Sequence, residues 1–304
     1  MSTNNKPLFK RVAFIGIGLI GSSLARVIKR DGLAGHICVT TRSPETLNKA
    51  VELGLCDSTA TSPEEAVKDA DLVMICTPLG TYSAIGQAIG PHLKPGAIIS
   101  DVGSAKKCVY RDIGPHLPEG VHLVPGHPVA GTENSGPESG FAELFMDRHC
   151  ILTPNETTDP DAIKQITSLW QAAGMRVETM SAEHHDQVLA ITSHLPQLIA
   201  YSIVDTASQV GDDLKTEIFR YSAGGFRDFT RIAASDPVMW RDIFVENRDA
   251  VLDILNRFDE DLTLLKRAIR QGDGEKLEEV FTRTRAARRS IIDANQHVPE
   301  DQKV

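Results

Sequence analysis

Three glycines near the start of the chain have the spacing of a phosphate-binding turn. Gly16, Gly18 and Gly21 lie between two apolar runs in RVAFIGIGLIGSS. In a strand–turn–helix unit, the first glycine allows the tight turn, the second lets backbone approach a pyrophosphate, and the third lets the helix pack closely. The N–H groups at the helix start then bind the phosphates. We assign a dinucleotide site to these glycines with Leu19 and Ile20; a glycine turn in another α/β fold is the alternative.

The end of the second predicted strand, residues 36–41, should select between the two nicotinamide dinucleotides. An NAD site usually places Asp or Glu there, about 20 residues after the glycines, on the ribose 2′-hydroxyl. This chain has Thr41, Arg42 and Ser43, and a guanidinium with two hydroxyls suits a 2′-phosphate. The sequence favours NADP and leaves NAD open. A solvated arginine at a strand end is the alternative interpretation.

Other polar residues follow apolar runs that we predict as strands. Thr77 and Pro78, Ser104, and His127 each come shortly after such a run. Strand patterns occupy residues 36–41, 72–76, 97–101, 122–125, 150–154 and 176–180, and helical patterns occupy 44–53, 63–69 and 161–173. Continuous apolar strands separated by helices predict a mostly parallel, Rossmann-type sheet covered on both sides. Ligands of such sheets bind beyond the carboxyl ends of the strands, where these residues lie.

From residue 182 onward the patterns are helical. We predict helices at 182–208, 215–222 and 275–292, a turn at Gly224 and Gly225, and one helix of about 34 residues from Pro237 to about residue 270, with Ser235 as its N-cap. Apolar residues recur along 252–269 at three- and four-residue spacing. So long a striped helix predicts a homodimer through the helical half. The predicted domains are a dinucleotide-binding domain at 1–181 and a helical substrate and dimerisation domain at 182–304.

Reactive side chains also occur outside the predicted sheet. Ser193 and His194 precede Pro196, which should interrupt its helix, although a lone helical histidine is more often a packed core residue. His184 and His185 diverge by about 100° on a helix and lack an HExxH pattern, so we assign no metal. The loop at 130–140, rich in Gly, Ser, Asn and Pro, is either a lid or a surface connection.

Composition excludes several classes of protein. The net charge is −9, from 32 basic and 41 acidic residues without a basic block, which argues against a nucleic-acid surface. The chain shows neither a signal peptide nor an apolar run of membrane-spanning length, so we expect no membrane partner and a cytoplasmic location. Its five cysteines include no CxxC pair, which indicates reduced thiols.

Five ordered motifs together resemble the prephenate and arogenate dehydrogenases, also called cyclohexadienyl dehydrogenases. They are GIGLIGSS, DVGSAK at 101–106, HPVAGTE at 127–133, SHLPQ at 193–197 and GGFRDFTRIAASDPVMW at 224–240. The resemblance implies an oxidative decarboxylation in tyrosine biosynthesis. A hydride leaves the ring carbon that bears the 4-hydroxyl, CO2 leaves the opposite carbon, and the ring becomes aromatic. Prephenate would give 4-hydroxyphenylpyruvate, and arogenate would give tyrosine.

The resemblance also implies roles for individual residues. His127 would accept the proton of the 4-hydroxyl, which suits a neutral imidazole at physiological pH. Ser104 would hydrogen-bond that hydroxyl and help to place the nicotinamide ring, and Arg231 would bind a substrate carboxylate. Glu133 would gate entry, and Trp240 would shape the pocket. The candidate substrate-binding residues are Arg231, Gln197, His194, Ser193, Thr132, Glu133 and Trp240.

Gln197 departs from the SHLPH motif of many relatives. Glutamine donates hydrogen bonds but carries no positive charge, so we expect good use of arogenate, with use of both substrates open. Packing within its helix is the alternative role of Gln197. An arogenate-specific enzyme, another hydroxy-acid dehydrogenase of similar architecture and a non-catalytic NADP-binding sensor are the rival functions. Product similarity suggests tyrosine as a feedback inhibitor.

Overall fold

A computed structural model describes residues 6–210, 217, 220 and 224–293, with 291–293 described by backbone alone. The helix expected at 215–222 falls outside this range except for residues 217 and 220. No helix among the described residues is both long enough and apolar enough to cross a membrane.

Six short strands form a fully parallel sheet in the first half of the chain. They are β1 (Val12–Ile15), β2 (Ile37–Thr40), β3 (Ser58–Thr59), β4 (Leu72–Ile75), β5 (Ile98–Asp101) and β6 (His122–Leu123). Their order is β3-β2-β1-β4-β5-β6, and Val12 lies opposite Ile37 on one side and Leu72 on the other. Consecutive residues of β1 point to opposite faces of the sheet. Phe14 belongs to one apolar cluster and Ile15 to the other. Both faces are therefore covered, which confirms the predicted sheet.

Helices connect these strands and begin where the sequence supplies caps. They are α1 (Leu19–Asp31), α2 (Pro44–Glu52), α3 (Pro63–Ala66), α4 (Tyr82–Ile89) and α5 (Lys107–Asp112). Ser43 and Ser62 cap α2 and α3 through their hydroxyls, and a proline follows each cap. A hydroxyl at the N-cap and a proline in the first turn both favour a helix start.

A second, three-stranded sheet follows. It contains β7 (Gly126–Pro128), β8 (His149–Leu152) and β9 (Arg176–Thr179) in that order, with β7 antiparallel to β8, and α6 (Pro160–Ala172) lies between β8 and β9 in the chain. The strands expected at residues 150–154 and 176–180 do pair in parallel, as β8 with β9, but they belong to this second sheet and not to the first. His127 accordingly lies inside β7 and not in a loop after β6.

The helical region contains α7 (Ala182–Leu189), a π-helical turn (Ala190–His194), α8 (Leu195–Ser208), α9 (Gly224–Thr230), a 3-10 turn (Arg231–Ala234) and α10 (Pro237–Glu246). The interruption predicted near Pro196 is this π turn. The turn predicted at Gly224 and Gly225 is wrong, because both glycines are helical. Asp236, not Ser235, caps α10 by accepting hydrogen bonds from the N–H groups of Val238 and Met239.

The single long helix predicted from Pro237 is also wrong. α10 ends at Glu246, because the ψ of its C-cap residue Asn247, 27°, leaves the helical range, and α11 (Arg248–Gln271) follows. The chain divides into two compact units, Met1–Val251 and Leu252–Val304. The second unit contains most of α11 and α12 (Gly274–Asp293). Its apolar side chains include exposed ones: Leu252, Leu262, Leu264, Ile269 and Phe281.

Candidate active site

The glycine turn leaves room for a phosphate at the start of α1. Gly18 is the N-cap residue, and a Cβ added there would meet nothing within 4 Å. At Gly16 φ is +85°, and an added Cβ would lie 2.8 Å from Thr77 Cγ2. An added Cβ at Gly21 would lie 3.2 Å from the Cys76 side chain. The N–H groups of the first turn, which helix geometry leaves without intrahelical partners, therefore fit a dinucleotide pyrophosphate.

The neighbouring strand ends carry the other predicted cofactor residues. Arg42 is exposed, and Thr41 is half-buried. The Ser43 hydroxyl accepts a hydrogen bond from Thr46 N at 3.1 Å and donates to Glu45 Oε2 at 2.7 Å. The single hydroxyl proton of Ser43 is thus committed within α2, beside a carboxylate.

Thr77 and Pro78 follow β4, next to β1. The hydroxyls of Thr77 and Thr81 lie 2.8 Å apart, and the close approach of Thr77 to Gly16 brings the ends of these two strands together. These residues line the carboxyl edge of the sheet, as expected for polar residues that follow parallel strands.

A buried ion pair joins the end of β5 to the second sheet. Lys106 Nζ lies 2.6 Å from Asp101 Oδ2 and donates to Gly126 O at 2.6 Å. Asp101 also accepts hydrogen bonds from the Tyr82 hydroxyl and from the N–H groups of Gly103 and Gly126. Burial and the neighbouring Asp101 raise the pKa of Tyr82, so its hydroxyl stays a donor. Together these bonds fix the start of β7, the strand that carries His127.

His127 belongs to a buried chain of three side chains. Its Nδ1 lies 2.8 Å from His185 Nε2, and His185 Nδ1 lies 2.8 Å from Asp186 Oδ1. The Asp186 carboxylate also accepts the N–H groups of Lys106 at 2.7 Å and Lys107 at 3.0 Å, at the start of α5. α7, β7 and α5 therefore meet at this point.

Burial keeps the two histidines neutral. It lowers the pKa of His127 well below 6.5, and the neighbouring His185, Lys106 and His194 act in the same direction. Burial also lowers the pKa of His185, with the hydrogen bond to Asp186 acting in the opposite direction. A neutral His127 at physiological pH is able to accept a proton.

His194 closes the π turn and has one ring nitrogen without a partner. Asn247 Nδ2 donates to Asp186 O at 2.8 Å and lies 3.1 Å from His194 Nδ1, so His194 Nδ1 accepts and its proton is on Nε2. That Nε2 is buried and has no hydrogen-bond partner among the described residues. Burial lowers the pKa of His194 to about 4, while Asp186 and the Ser104 backbone act in the opposite direction. A buried, unpartnered donor suits a ligand group.

Ser104, Ser193 and Trp240 surround His194. The backbone of Ser104 faces the His194 ring, and Ser193 precedes it in the π turn. The Trp240 ring centre lies 6.1 Å from that of His194. The fold therefore brings two predicted residues, Ser104 and Trp240, to His194 and its chain neighbour Ser193.

Arg231 and Glu133 form a second group. Arg231 Nη1 lies 2.8 Å from Glu133 Oε2, and the side chains are 60% and 35% exposed. Thr132, next to Glu133, is exposed and accepts a hydrogen bond from Asn134 N. Within the described part of the chain, neither Arg231 nor Glu133 forms a hydrogen bond or ion pair with His127.

The loop at 130–140 is attached to α1 at one end. Arg26 Nη1 donates to Pro137 O at 3.3 Å, and Phe141 N donates to Ser23 Oγ at 3.1 Å. If the loop is a lid, the part that moves would be the residues before Pro137, because the residues from Pro137 onward are held against α1.

Gln197 lies one turn beyond His194 and is 2% exposed. Its Nε2 donates to Ile232 O at 2.8 Å, within the turn that begins with Arg231. The amide therefore supports the position of Arg231 through the backbone.

Comparison with known proteins decides the family. Residues 24–179 match the family model "Prephenate dehydrogenase, nucleotide-binding domain", and residues 181–283 match "Prephenate dehydrogenase, dimerization domain". The chain belongs to the prephenate dehydrogenase family. It is 44% identical to the cyclohexadienyl dehydrogenase of Zymomonas mobilis, over 93% of this chain and 97% of that one.

Two solved structures extend the family comparison. Prephenate dehydrogenase from A. aeolicus, in complex with hydroxyphenyl propionate and NAD+, has a TM-score of 0.85 and 38% identity, covering 93% of this chain and 98% of that one. Synechocystis arogenate dehydrogenase has a TM-score of 0.76 and 27% identity, covering 92% and 99%. The predicted family and fold class are confirmed, and this prephenate dehydrogenase family member is an NAD(P)-dependent dehydrogenase.

Several buried residues of this dehydrogenase have no role that the sequence predicted. They are Asp101, Lys106, His185, Asp186 and Asn247. The pair His184–His185 does carry a signal, because the divergence of about 100° that argues against a metal site also turns one of the two side chains inward. His184 is exposed, whereas His185 is 0% exposed.

Proposed function

We propose that this dehydrogenase oxidatively decarboxylates prephenate, arogenate or both, with NADP preferred, as a cyclohexadienyl dehydrogenase of tyrosine biosynthesis. The observation that carries the proposal is a buried, neutral His127 beside the carboxyl edge of a dinucleotide-binding sheet. The similarity to the Zymomonas mobilis enzyme along nearly the whole chain supports it.

His127 is the proposed base. A bound nicotinamide cofactor supplies the hydride acceptor. As the hydride leaves the substrate ring, His127 Nε2 accepts the proton of the 4-hydroxyl. The product phenol keeps its O–H, so the proton returns from His127 to that oxygen once CO2 has left and the ring is aromatic. Ser104 holds the same hydroxyl, and the unpartnered His194 Nε2–H donates to the bound substrate.

Arg231 is the proposed anchor for a substrate carboxylate. A guanidinium binds carboxylate through paired N–H donors. In the described structure Glu133 occupies one of these donors, so a substrate carboxylate would displace it. Glu133 therefore acts as a gate, and Gln197 holds the Arg231 turn in place.

The first experiment measures NADPH formation and CO2 release with prephenate and with arogenate at matched concentrations. Turnover of both substrates supports a cyclohexadienyl dehydrogenase, and turnover of arogenate alone makes the enzyme arogenate-specific. Binding of NADP without turnover of either would refute the proposal. His127→Asn should keep NADP binding and lose about 10²- to 10⁴-fold in kcat, the usual contribution of a general base.

The preference for NADP depends on Arg42 and the start of α2. No carboxylate occupies residues 41–43, but Glu45 lies beside Ser43. Arg42→Ala should raise KM for NADP more than KM for NAD, whereas the control Glu45→Gln should lower KM for NADP. A wild-type preference for NAD would refute the assignment.

We also propose a homodimer through the helical domain, with the domains divided at 1–181 and 182–304. The match of residues 181–283 to a dimerization domain supports both, and the exposed apolar side chains of α11 and α12 support the homodimer. Light scattering should give twice the chain mass.

The proposed location is the cytoplasm, with the cysteines reduced. Tyrosine should inhibit competitively because it resembles the substrate; unchanged rates in its presence would contradict this.

A further inference from the structure

The hydrogen bonds from Asp186 through His185 to His127 have a defined direction. An ionised carboxylate only accepts hydrogen bonds, and the backbone N–H groups of Lys106 and Lys107 already donate to Asp186. His185 Nδ1, at 2.8 Å from Asp186 Oδ1, therefore carries a proton.

Neutral His185 then fixes the tautomer of His127. With its proton on Nδ1, His185 Nε2 has a lone pair and accepts from His127 Nδ1 across 2.8 Å. Neutral His127 is left with a lone pair on Nε2. In the opposite tautomer, His127 Nε2 would carry a proton and could not accept one.

We propose that His185 and Asp186 are positioning residues of the reaction, which hold His127 in the tautomer whose Nε2 accepts the substrate proton. The inference rests on the proposed function, in which His127 is the base. Catalytic triads use a buried carboxylate for the same purpose, to orient a histidine and fix its tautomer. Here a second histidine lies between the carboxylate and the base, so Asp186 acts on His127 across His185.

The direction of these bonds depends on pH. A proton on His185 Nε2 would make it donate to His127 Nδ1, which leaves the His127 proton on Nε2 and blocks the base. The charged or titratable groups around His185 are Asp186 on its own helix, Lys106 before α5, Asp101 at the end of β5, His127 on β7 and His194 at the end of the π turn. Burial and Lys106 lower the pKa of His185, which preserves the working tautomer at neutral pH.

Two amide variants separate the proposed role from a packing role. The amide of His185→Gln reaches the position of Nε2, so its oxygen still accepts from His127 Nδ1. The amide of His185→Asn reaches the position of Nδ1 and leaves His127 without that acceptor. We expect kcat within about tenfold of wild type for Gln and a loss of about 10²- to 10³-fold for Asn, part of the contribution of a general base. Equal kcat values in the two variants, whether high or low, would overturn the proposal.

The pH profile gives a readout that packing alone would not move. His185 lowers the pKa of His127, so His185→Gln should shift the acid limb of kcat/KM to higher pH. An unmoved limb would count against the proposal. Circular dichroism and NADP binding check that the variants fold.

Nitrogen NMR of wild-type enzyme with ¹⁵N-labelled histidine decides the question even if the His185 variants do not fold. We expect His127, assigned by its loss in His127→Asn, to be protonated at Nδ1 and not at Nε2 near neutral pH; the reverse overturns the proposal. Kinetics of His127→Asn separates the two claims. Retained turnover in His127→Asn refutes His127 as the base. Lost turnover in His127→Asn, together with equal kcat values in the two His185 variants, refutes the positioning role alone.

Discussion

Removal of one partner of the buried Asp101–Lys106 pair should strongly destabilise the fold. The two side chains are 1% and 0% exposed, and breaking a buried pair costs about 3–5 kcal/mol because the other charge stays buried. Asp101→Asn removes the negative charge beside Lys106 and leaves its buried ammonium with neutral carbonyl acceptors, the new amide oxygen and Gly126 O, so we expect the upper end of this range. Lys106→Met leaves Asp101 three donors, from Tyr82, Gly103 and Gly126, so we expect the lower end.

Urea unfolding, followed by far-UV circular dichroism, measures these losses. With an m value of about 3 kcal/mol/M, a loss of 4 kcal/mol lowers the midpoint by about 1.3 M. Lys94→Met is the matched control. Its ion pair with Asp71 has the same 2.6 Å distance, but its side chains are 34% and 27% exposed. An exposed pair contributes about 0–1 kcal/mol, so this midpoint should fall by no more than about 0.3 M.

The double variant Asp101→Asn/Lys106→Met tests the reason for the losses. It removes both charges, so neither remains buried without a partner, and the midpoint should recover well above that of Asp101→Asn. A double variant whose loss equals the sum of the single losses would refute the reasoning.

Acid should weaken the fold through His194. Its pKa is about 4 when folded and near 6.5 when unfolded, so between these values the unfolded chain binds more protons and the free energy of unfolding decreases as pH falls, by about 2 kcal/mol at pH 5. Urea midpoints across this range should depend less on pH in His194→Leu; an unchanged dependence would contradict the assignment. Glu133→Gln should lower KM for the substrate up to about fivefold, since it frees Arg231 from an exposed ion pair, and a higher KM in steady-state assays would argue against gating. Gln197→Met should raise KM for prephenate and arogenate alike because its amide bonds Ile232 O, and a change in their ratio would show a direct substrate contact.

Local patterns predicted five of the six strands of the first sheet and the start of α1 because their causes are local; the two-residue β3 was not predicted. The glycine spacing and the apolar runs each act within a few residues. The second sheet could not be predicted in the same way, since a strand pattern does not say which strand is its partner. β7 begins only three residues after β6 ends, yet it pairs antiparallel with β8.

The break at Asn247 was hidden for a different reason. Apolar residues recur on both sides of it, so the periodicity shows no gap at the residue where α10 ends. Asn247 is 4% exposed, and its amide bonds the Asp186 carbonyl and His194. These are tertiary contacts, over 61 and 53 positions in the chain, and no window of local sequence contains them.

The same limit applies to the group around His127. The motif HPVAGTE indicated the base, but the residues that orient it are 58 positions away and look like an ordinary helical pair. Their effect comes from the direction of successive hydrogen bonds, which requires the carboxylate, both rings and the start of α5 at defined distances. A substitution at His185 can therefore alter proton transfer at His127 without any contact with the substrate, and the tautomer of His127, more than the identity of the residue, is what the fold has to provide.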